Sequence, residues 1–219
     1  MSSQHKPVPN LFEAASIITI CFGWFIYSSV AAAGIDVQER SSGGGFSDAS
    51  FVYLILMELS MAAVALLVLR SRSYPLSMLL PVPSIEGTMM GMGLYFVTVL
   101  ASWMAVMPFS AGHTTQPITE IMRQSTPTLP YIFAVALVNG TYEEVFLLGY
   151  LVRGFSTYSR SFAIGLSLLV RLLYHIYQGP LGVMSVVGFG LVVSLFYLRT
   201  RLLWPTVVAH MLGDILPFL

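Results

Sequence analysis

Seven apolar stretches, each close to the length that crosses a lipid bilayer, are the feature that most constrains the fold of this chain. About 20 apolar residues in helical form cross the roughly 30 Å of hydrocarbon, and backbone groups in lipid must bond to one another, which favours helices. The sequence therefore predicts an all-α protein, a polytopic transmembrane helix bundle with about seven spans. The predicted spans are residues 11–33, 51–70, 87–108, 129–152, 161–178, 181–198 and 202–219.

The low charge content supports insertion into a membrane. Only 9% of the 219 residues are charged and 56% are hydrophobic, whereas a soluble domain usually carries about 25% charged residues. The formal net charge is zero, which argues against nucleic acid as a partner. The single cysteine, Cys21, excludes a disulfide framework or a cysteine zinc site within one chain.

Basic residues predict the orientation of the bundle. With the N-terminus in the cytoplasm, seven lysine and arginine side chains lie inside and two lie outside, which is the asymmetry of the positive-inside rule. The predicted inside residues are Lys6, Arg70, Arg72, Arg153, Arg160, Arg199 and Arg201, and the outside residues are Arg40 and Arg123. The C-terminus then faces outward.

Charged and ionisable side chains within the C-terminal spans need an explanation, because each is costly in lipid. These residues are Glu143, Glu144, Arg171, His175, His210 and Asp214. Counted at about 1.5 Å per helical residue from the arginines at the span ends, they lie about 14 to 22 Å deep in one layer. Glu143 and Arg171 lie at nearly equal depth on consecutive spans, so Arg171 is the expected charge partner of the two glutamates.

This polar layer contains the groups that hydrolysis of a peptide bond requires. Mutual repulsion and burial make one of two adjacent carboxylates easier to protonate. A carboxylate that accepts a proton readily can act as a general base. The two histidines can donate to an oxyanion, relay a proton or bind a metal ion. Glu143, His175 and His210 would be the ligands of a zinc ion, although Arg171 in the same layer would repel a cation.

The same residues also have structural interpretations. The two glutamates could form an ion-pair network with Arg171, and His175 could bond a backbone carbonyl. His210 and Asp214 are four residues apart and could form a pair that locks the last helix. Glu58 is isolated in its span, and we interpret it as structural or as a snorkelling side chain.

Three motifs resemble those of the CPBP family, which contains CAAX proteases and bacteriocin-processing (Abi) intramembrane proteases. They are EEVFLLGYL at 143–151, RLLYH at 171–175 and HMLGD at 210–214. Their order and spacing are similar to those of the family, and the resemblance covers residues 129–219. We therefore divide the chain into N-terminal spans and loops at 1–128 and a CPBP-like catalytic core at 129–219, within one membrane domain.

The resemblance implies a role for each residue of the polar layer. Glu143 would activate a water molecule as general base, and His175 would orient or polarise that water. His210 and Asp214 would stabilise the oxyanion, and Glu144 would be a supporting carboxylate. An ionised aspartate cannot donate a hydrogen bond, so Asp214 would act in its protonated form or by orienting His210.

One position departs from the family motif. The family has an arginine four residues after the second glutamate, where this chain has Leu148. Glu144 therefore lacks its usual partner on the same helix, and Arg171 on the next span is the predicted substitute. Without that substitute, a proteolytically silent family member would be favoured.

The sequence and the resemblance together predict an intramembrane endopeptidase of a bacterial cytoplasmic membrane. It would contact lipid and would hydrolyse membrane-associated peptides or proteins with a glutamate-activated water. No cofactor is expected, and zinc is the alternative because the family has also been described as metalloproteases. Two other functions stay open: a catalytically silent scaffold or bacteriocin-immunity protein, and a small proton-coupled transporter, although the chain has no internal repeat of the kind many transporters have.

Overall fold

The computed structural model describes residues 9–34, 44–111 and 116–219, and the regular structure of these residues is helical throughout. The predicted all-α class is confirmed. Lys6 and Arg40, two of the residues used to orient the bundle, lie outside the described residues. The helices are α1 Leu11–Ala33, α2 Asp48–Ser71, α3 Ile85–Val106, α4 Pro117–Arg123, α5 Leu129–Phe155, α6 Arg160–His175, α7 Pro180–Thr200 and α8 Trp204–Ile215.

Polar residues determine where several of the apolar helices begin. Asn10 accepts a hydrogen bond from the backbone N–H of Glu13 at the start of α1, and Ser84 accepts one from Gly87 at the start of α3. Ser47 and Ser50 form a reciprocal capping box at the start of α2. Such caps satisfy backbone donors that have no partner within the helix.

Within the described residues, five helices are long and apolar enough to cross a membrane: α1, α2, α3 with its short extension to Phe109, α5 and α7. The structure differs from the predicted seven spans at α6 and α8, which have 16 and 12 residues. At about 1.5 Å per residue these two helices measure roughly 24 and 18 Å, less than the hydrocarbon thickness. Glycine and proline explain the difference, because a 3₁₀ turn and Gly179, with φ of 89°, follow α6, and Pro217 lies in the 3₁₀ turn that follows α8.

Helix α5 is the central element of the bundle. In the most apolar stretch of α5, 61% of the residues are buried. In the corresponding stretches of the other four long helices, the buried share is 17–28%. It packs against α2, α6 and α8. Directly after Glu144 the helix widens into a π-helical segment, Val145–Val152, all of which is buried. Such segments are rare and frequently occur at functional sites.

A close approach between α3 and α8 holds the last helix in place. A Cβ atom added at Gly91 would lie 2.5 Å from Cβ of Val208 and 2.8 Å from the carbonyl oxygen of Pro205. Small residues of this kind allow membrane helices to approach one another closely. The contact positions the helix that carries His210 and Asp214.

The short helix α4 covers one end of the bundle. Within it Arg123 donates to Glu120 through two nitrogens, at 3.0 and 2.7 Å. This hydrogen bonding lowers the pKa of Glu120 to about 2. Ile118 and Met122 of the same helix lie over a cavity that leads to the polar layer.

Candidate active site

Arg171 joins the two adjacent glutamates. Its Nη1 donates to Oε2 of Glu143 at 3.0 Å, and its Nη2 donates to Oε1 of Glu144 at 2.8 Å. All three side chains are buried, and Glu144 is fully inaccessible. Burial of a charge requires a partner of opposite sign with good hydrogen-bond geometry. The structure therefore contains the contact that the depth of the residues predicts.

Glu143 receives a second donor on the same oxygen. The Tyr174 hydroxyl donates to Oε2 of Glu143, and Phe22 stacks on the Tyr174 ring with centroids 5.2 Å apart. Oε1 of Glu143 accepts no hydrogen bond from the part of the chain that the structure describes. The carboxylate is thus held through one oxygen, and the other oxygen is available for a ligand.

His210 contacts both glutamates from α8. Its Nδ1 lies 2.7 Å from Oε1 of Glu144, and we assign the hydrogen to Nδ1 because an ionised carboxylate only accepts. Its Nε2 lies 3.8 Å from Oε2 of Glu143 and 3.8 Å from Oδ1 of Asp214. The edge of Phe189 packs against the ring with centroids 5.1 Å apart. These contacts leave Nε2 between two carboxyl groups without a direct bond to either.

His175 is placed differently from His210. Its Nδ1 lies 2.8 Å from the backbone carbonyl oxygen of Arg171, one turn earlier in α6. A carbonyl oxygen accepts, so Nδ1 carries the hydrogen and Nε2 keeps its lone pair. The ring also packs on Tyr174, with centroids 4.4 Å apart. His175 borders the site, but it does not bond to either glutamate in the structure.

Asp214 is partly accessible, with 28% of its side chain exposed. Its Oδ2 accepts a hydrogen bond from Nδ2 of Asn139 at 3.0 Å. Asn139 and Tyr174 were not predicted as site residues. The spacing of Asn139, one helical turn before Glu143, and the position of Tyr174 within RLLYH were the signals that could have identified them.

Two cavities meet at this site. The first has a volume of about 320 Å³ and reaches Glu143 and Asn139, and the second has a volume of about 460 Å³ and reaches Arg171. Residues that line both cavities are His175, Gln178, His210, Gly213 and Asp214. The first cavity is rich in aromatic residues, while Ser102 and Ser185 contribute polar groups to the second. A peptide could occupy both cavities with its central bond beside the histidines.

The groups that could hold a metal ion differ from the predicted set. Ligand atoms of Glu143, Glu144 and His210 lie within 4.8 Å of one another. His175, which belongs to the predicted set, is not part of this group, and its Nδ1 bonds to the backbone of its own helix. Both carboxylates already bind the guanidinium of Arg171, and a divalent cation beside this charge would be repelled.

Leu148 occupies the position of the missing motif arginine and is fully buried. It packs in an apolar cluster that includes Leu94, Val193, Leu203 and Ala209. The α5 helix therefore uses this position for packing, and the positive charge reaches Glu144 from α6 instead.

Glu58 also belongs to this region, although its isolation in its own span predicts a structural or snorkelling residue. It lies on α2, and it lines the first cavity together with Glu143. The three N-terminal spans carry no motif, so only the packing of the helices places Glu58 here.

Comparison with known proteins identifies one family. Residues 125–216 match the model of a family described as type II CAAX prenyl endopeptidase Rce1-like. No curated protein and no solved structure matches the chain. The matched residues include both glutamates, Arg171, both histidines and Asp214, which are the residues that form the polar layer.

Proposed function

The chain belongs to the CAAX protease family through residues 125–216, and on this premise we propose that it is an intramembrane endopeptidase in which Glu143 activates the attacking water. The observation that carries this proposal is the asymmetric binding of the Glu143 carboxylate. Oε2 is held by Arg171 and Tyr174, while Oε1 accepts nothing from the described residues and the side chain lines the first cavity. A general base needs such a fixed position and one free oxygen.

In the first step a water molecule in the first cavity gives a proton to Oε1 of Glu143, and its oxygen attacks the scissile carbonyl carbon. His175 assists by accepting a hydrogen bond from the water at Nε2, because its Nδ1–H is fixed by the Arg171 carbonyl. The carbon–nitrogen bond then breaks, and the protonated Glu143 returns its proton to the leaving amine. One water is consumed and one peptide bond is cleaved, so the protons balance.

His210 stabilises the negative charge that develops on the substrate oxygen. In its doubly protonated form it donates from Nδ1 to Glu144 and from Nε2 to the oxyanion. Glu144 and Asp214 favour this charged form, because their carboxyl oxygens lie 2.7 Å from Nδ1 and 3.8 Å from Nε2. Asp214 itself accepts from Asn139, so its role is to position and polarise His210.

The proposed reaction requires no metal ion. The alternative ligand group of Glu143, Glu144 and His210 would have to share its carboxylates with Arg171. The chain is an integral membrane protein, and we propose a bacterial cytoplasmic membrane with the N-terminus inside. The first cavity combines residues of 1–128, such as Phe22 and Glu58, with residues of 129–219, which supports one membrane domain. Substrates would be membrane-associated peptides or proteins, and the family description points to prenylated C-terminal tails among them.

The test compares membranes that contain the wild-type protein with membranes that contain Glu143→Gln. Glu86→Gln, which removes an exposed carboxylate at the start of α3, is the control. Mass spectrometry of membrane peptides should find at least one precursor that accumulates only with Glu143→Gln. Identical peptides in all three membranes, at equal protein abundance, would favour the silent scaffold.

A further inference from the structure

Glu58 is a buried carboxyl group that the proposed mechanism does not use. It is 2% exposed, and its Oε2 has no hydrogen-bond partner among the described residues. A buried polar atom without a partner lowers the stability of the fold, so a residue of this kind needs another explanation. Its side chain lines the first cavity, and a molecule that enters this cavity can supply the missing partner.

The start points of α2 and α5 show where Glu58 lies relative to Glu143. Asp48, the first residue of α2, accepts hydrogen bonds from the backbone N–H and the hydroxyl of Thr128 at 2.6 and 3.1 Å, so both helices begin at one level. Glu58 lies ten residues into α2 and Glu143 lies fourteen residues after Leu129. At about 1.5 Å per residue these positions are roughly 15 and 21 Å deep, which is about one helical turn apart.

The first cavity has an acidic and aromatic lining that also contains His175 and His210. Its carboxyl groups are Glu58, Glu143 and Asp214, and the described residues that line it include no lysine or arginine. Arg171 reaches the second cavity but is not part of the lining of the first. The aromatic residues of the first cavity are Phe22, Phe25, Phe46, Phe51, Tyr142, Tyr174, Tyr177 and Phe218. Aromatic faces beside a carboxylate favour a cation.

We propose that Glu58 and the surrounding aromatic rings form a subsite for a lysine or arginine side chain of the substrate. The inference rests on the proposed protease function, because the cationic residue belongs to the peptide whose bond Glu143 hydrolyses. The two glutamates differ in depth by about one helical turn and line the same cavity, so the cationic side chain belongs to a residue near the scissile bond. The cation supplies the partner that Oε2 of Glu58 lacks.

A binding experiment tests the subsite without proteolysis. The purified protein in detergent is titrated with N-acetyl-lysine amide and with N-acetyl-norleucine amide, which has the same shape without the ammonium group. We expect the lysine compound to raise the Tm of the wild type and of Glu86→Gln, and to leave the Tm of Glu58→Gln unchanged. Equal shifts with both compounds, or a lysine shift that survives in Glu58→Gln, would overturn the proposal.

A cleavage experiment links the subsite to substrate choice. The wild type, Glu58→Gln and Glu86→Gln are incubated with a mixture of synthetic peptides that is randomised at each position, and the products are sequenced. The wild type and Glu86→Gln should prefer lysine or arginine at one position near the cleaved bond by about tenfold or more, the size expected for a hydrogen bond to a charged group. Glu58→Gln should cleave without this preference.

The two experiments distinguish the failure of the subsite from the failure of the protease. If no peptide is cleaved but the lysine compound binds through Glu58, the protease function fails and the cation site remains. If peptides are cleaved with the same preferences by the wild type and Glu58→Gln, the protease remains and the cation subsite is wrong.

Discussion

Helices α5 and α2 both place carboxyl groups in the interior of the bundle, but only those on α5 have a partner of opposite charge. Glu143 and Glu144 on α5 share Arg171, and each accepts a further hydrogen bond from Tyr174 or His210. Glu58 on α2 is equally buried and forms no ion pair with the described residues, and its Oε2 has no hydrogen-bond partner among them. Oε2 of Glu144 also has none, but Oε1 of Glu144 contacts Arg171 and His210. The comparison teaches that burial alone does not define a role. In the proposed function the paired carboxylates take part in the chemistry, while the unpaired one binds a side chain of the substrate.

The largest effect on stability is expected from a variant that removes the charge partner of the two glutamates on α5. Arg171→Leu leaves two carboxylates buried without their cation, and breaking a buried ion pair typically costs about 3–5 kcal/mol. We expect a corresponding loss of stability in a denaturant titration of the detergent-solubilised protein, together with loss of cleavage. Arg70→Leu, which removes an exposed arginine near the end of α2, is the matched control. Equal stability of the two variants would show that the guanidinium does not compensate the pair.

A second variant asks whether the cation can be supplied from α5 itself. Leu148→Arg restores the residue of the family motif, but Leu148 packs in a fully buried apolar cluster with Leu94 and Val193. Overpacking such a position costs about 1–3 kcal/mol before the charge is considered. We therefore expect that Leu148→Arg lowers the Tm of the wild type and does not rescue Arg171→Leu. Recovery of Tm and cleavage in the double variant would mean that the cluster adapts and that either helix can carry the cation.

The smallest expected effect on stability concerns the unpaired carboxyl on α2. Glu58→Leu replaces a buried polar group that lacks a partner by an apolar group of similar size, which is nearly neutral or stabilising by about 1 kcal/mol. Its Tm should therefore equal or exceed that of the wild type, in contrast to Arg171→Leu. A drop as large as that of Arg171→Leu would show that Glu58 is structural, and that its role in the fold resembles that of the pair on α5.

The contact between Arg171 and the glutamates could be predicted from the sequence, because depth can be counted along two consecutive helices from their charged ends. The π-helical segment after Glu144 could not, since it depends on how α5 packs and has no signature in hydropathy. The lengths of α6 and α8 were overestimated from the sequence because the apolar composition continues past His175 and Ile215, where 3₁₀ turns already begin.

Hydrogen-bond partners that lie far apart in the chain also could not be predicted from the sequence. Asn139 reaches Asp214 across 75 positions of the chain, and Tyr174 reaches Glu143 across 31. Glu58 seemed isolated because its own span contains no other charge near it, and its place beside Glu143 follows only from the packing of α2 against α5. Motifs therefore identified the residues of the core, and the tertiary structure identified their neighbours.

The most direct test of the account is a comparison of kcat for Glu143→Gln and Glu58→Gln in the purified protein. The substrate is the precursor that accumulates in membranes containing Glu143→Gln. We expect Glu143→Gln to fold with a Tm close to that of the wild type and to lose at least about 100-fold in kcat, the lower range for removal of a general base. Glu58→Gln should lower kcat far less than Glu143→Gln and should lose the preference for a cationic residue. Retention of wild-type kcat by Glu143→Gln, or an equal loss of kcat in both variants, would contradict the assignment of the paired carboxylate to catalysis and of the unpaired one to binding.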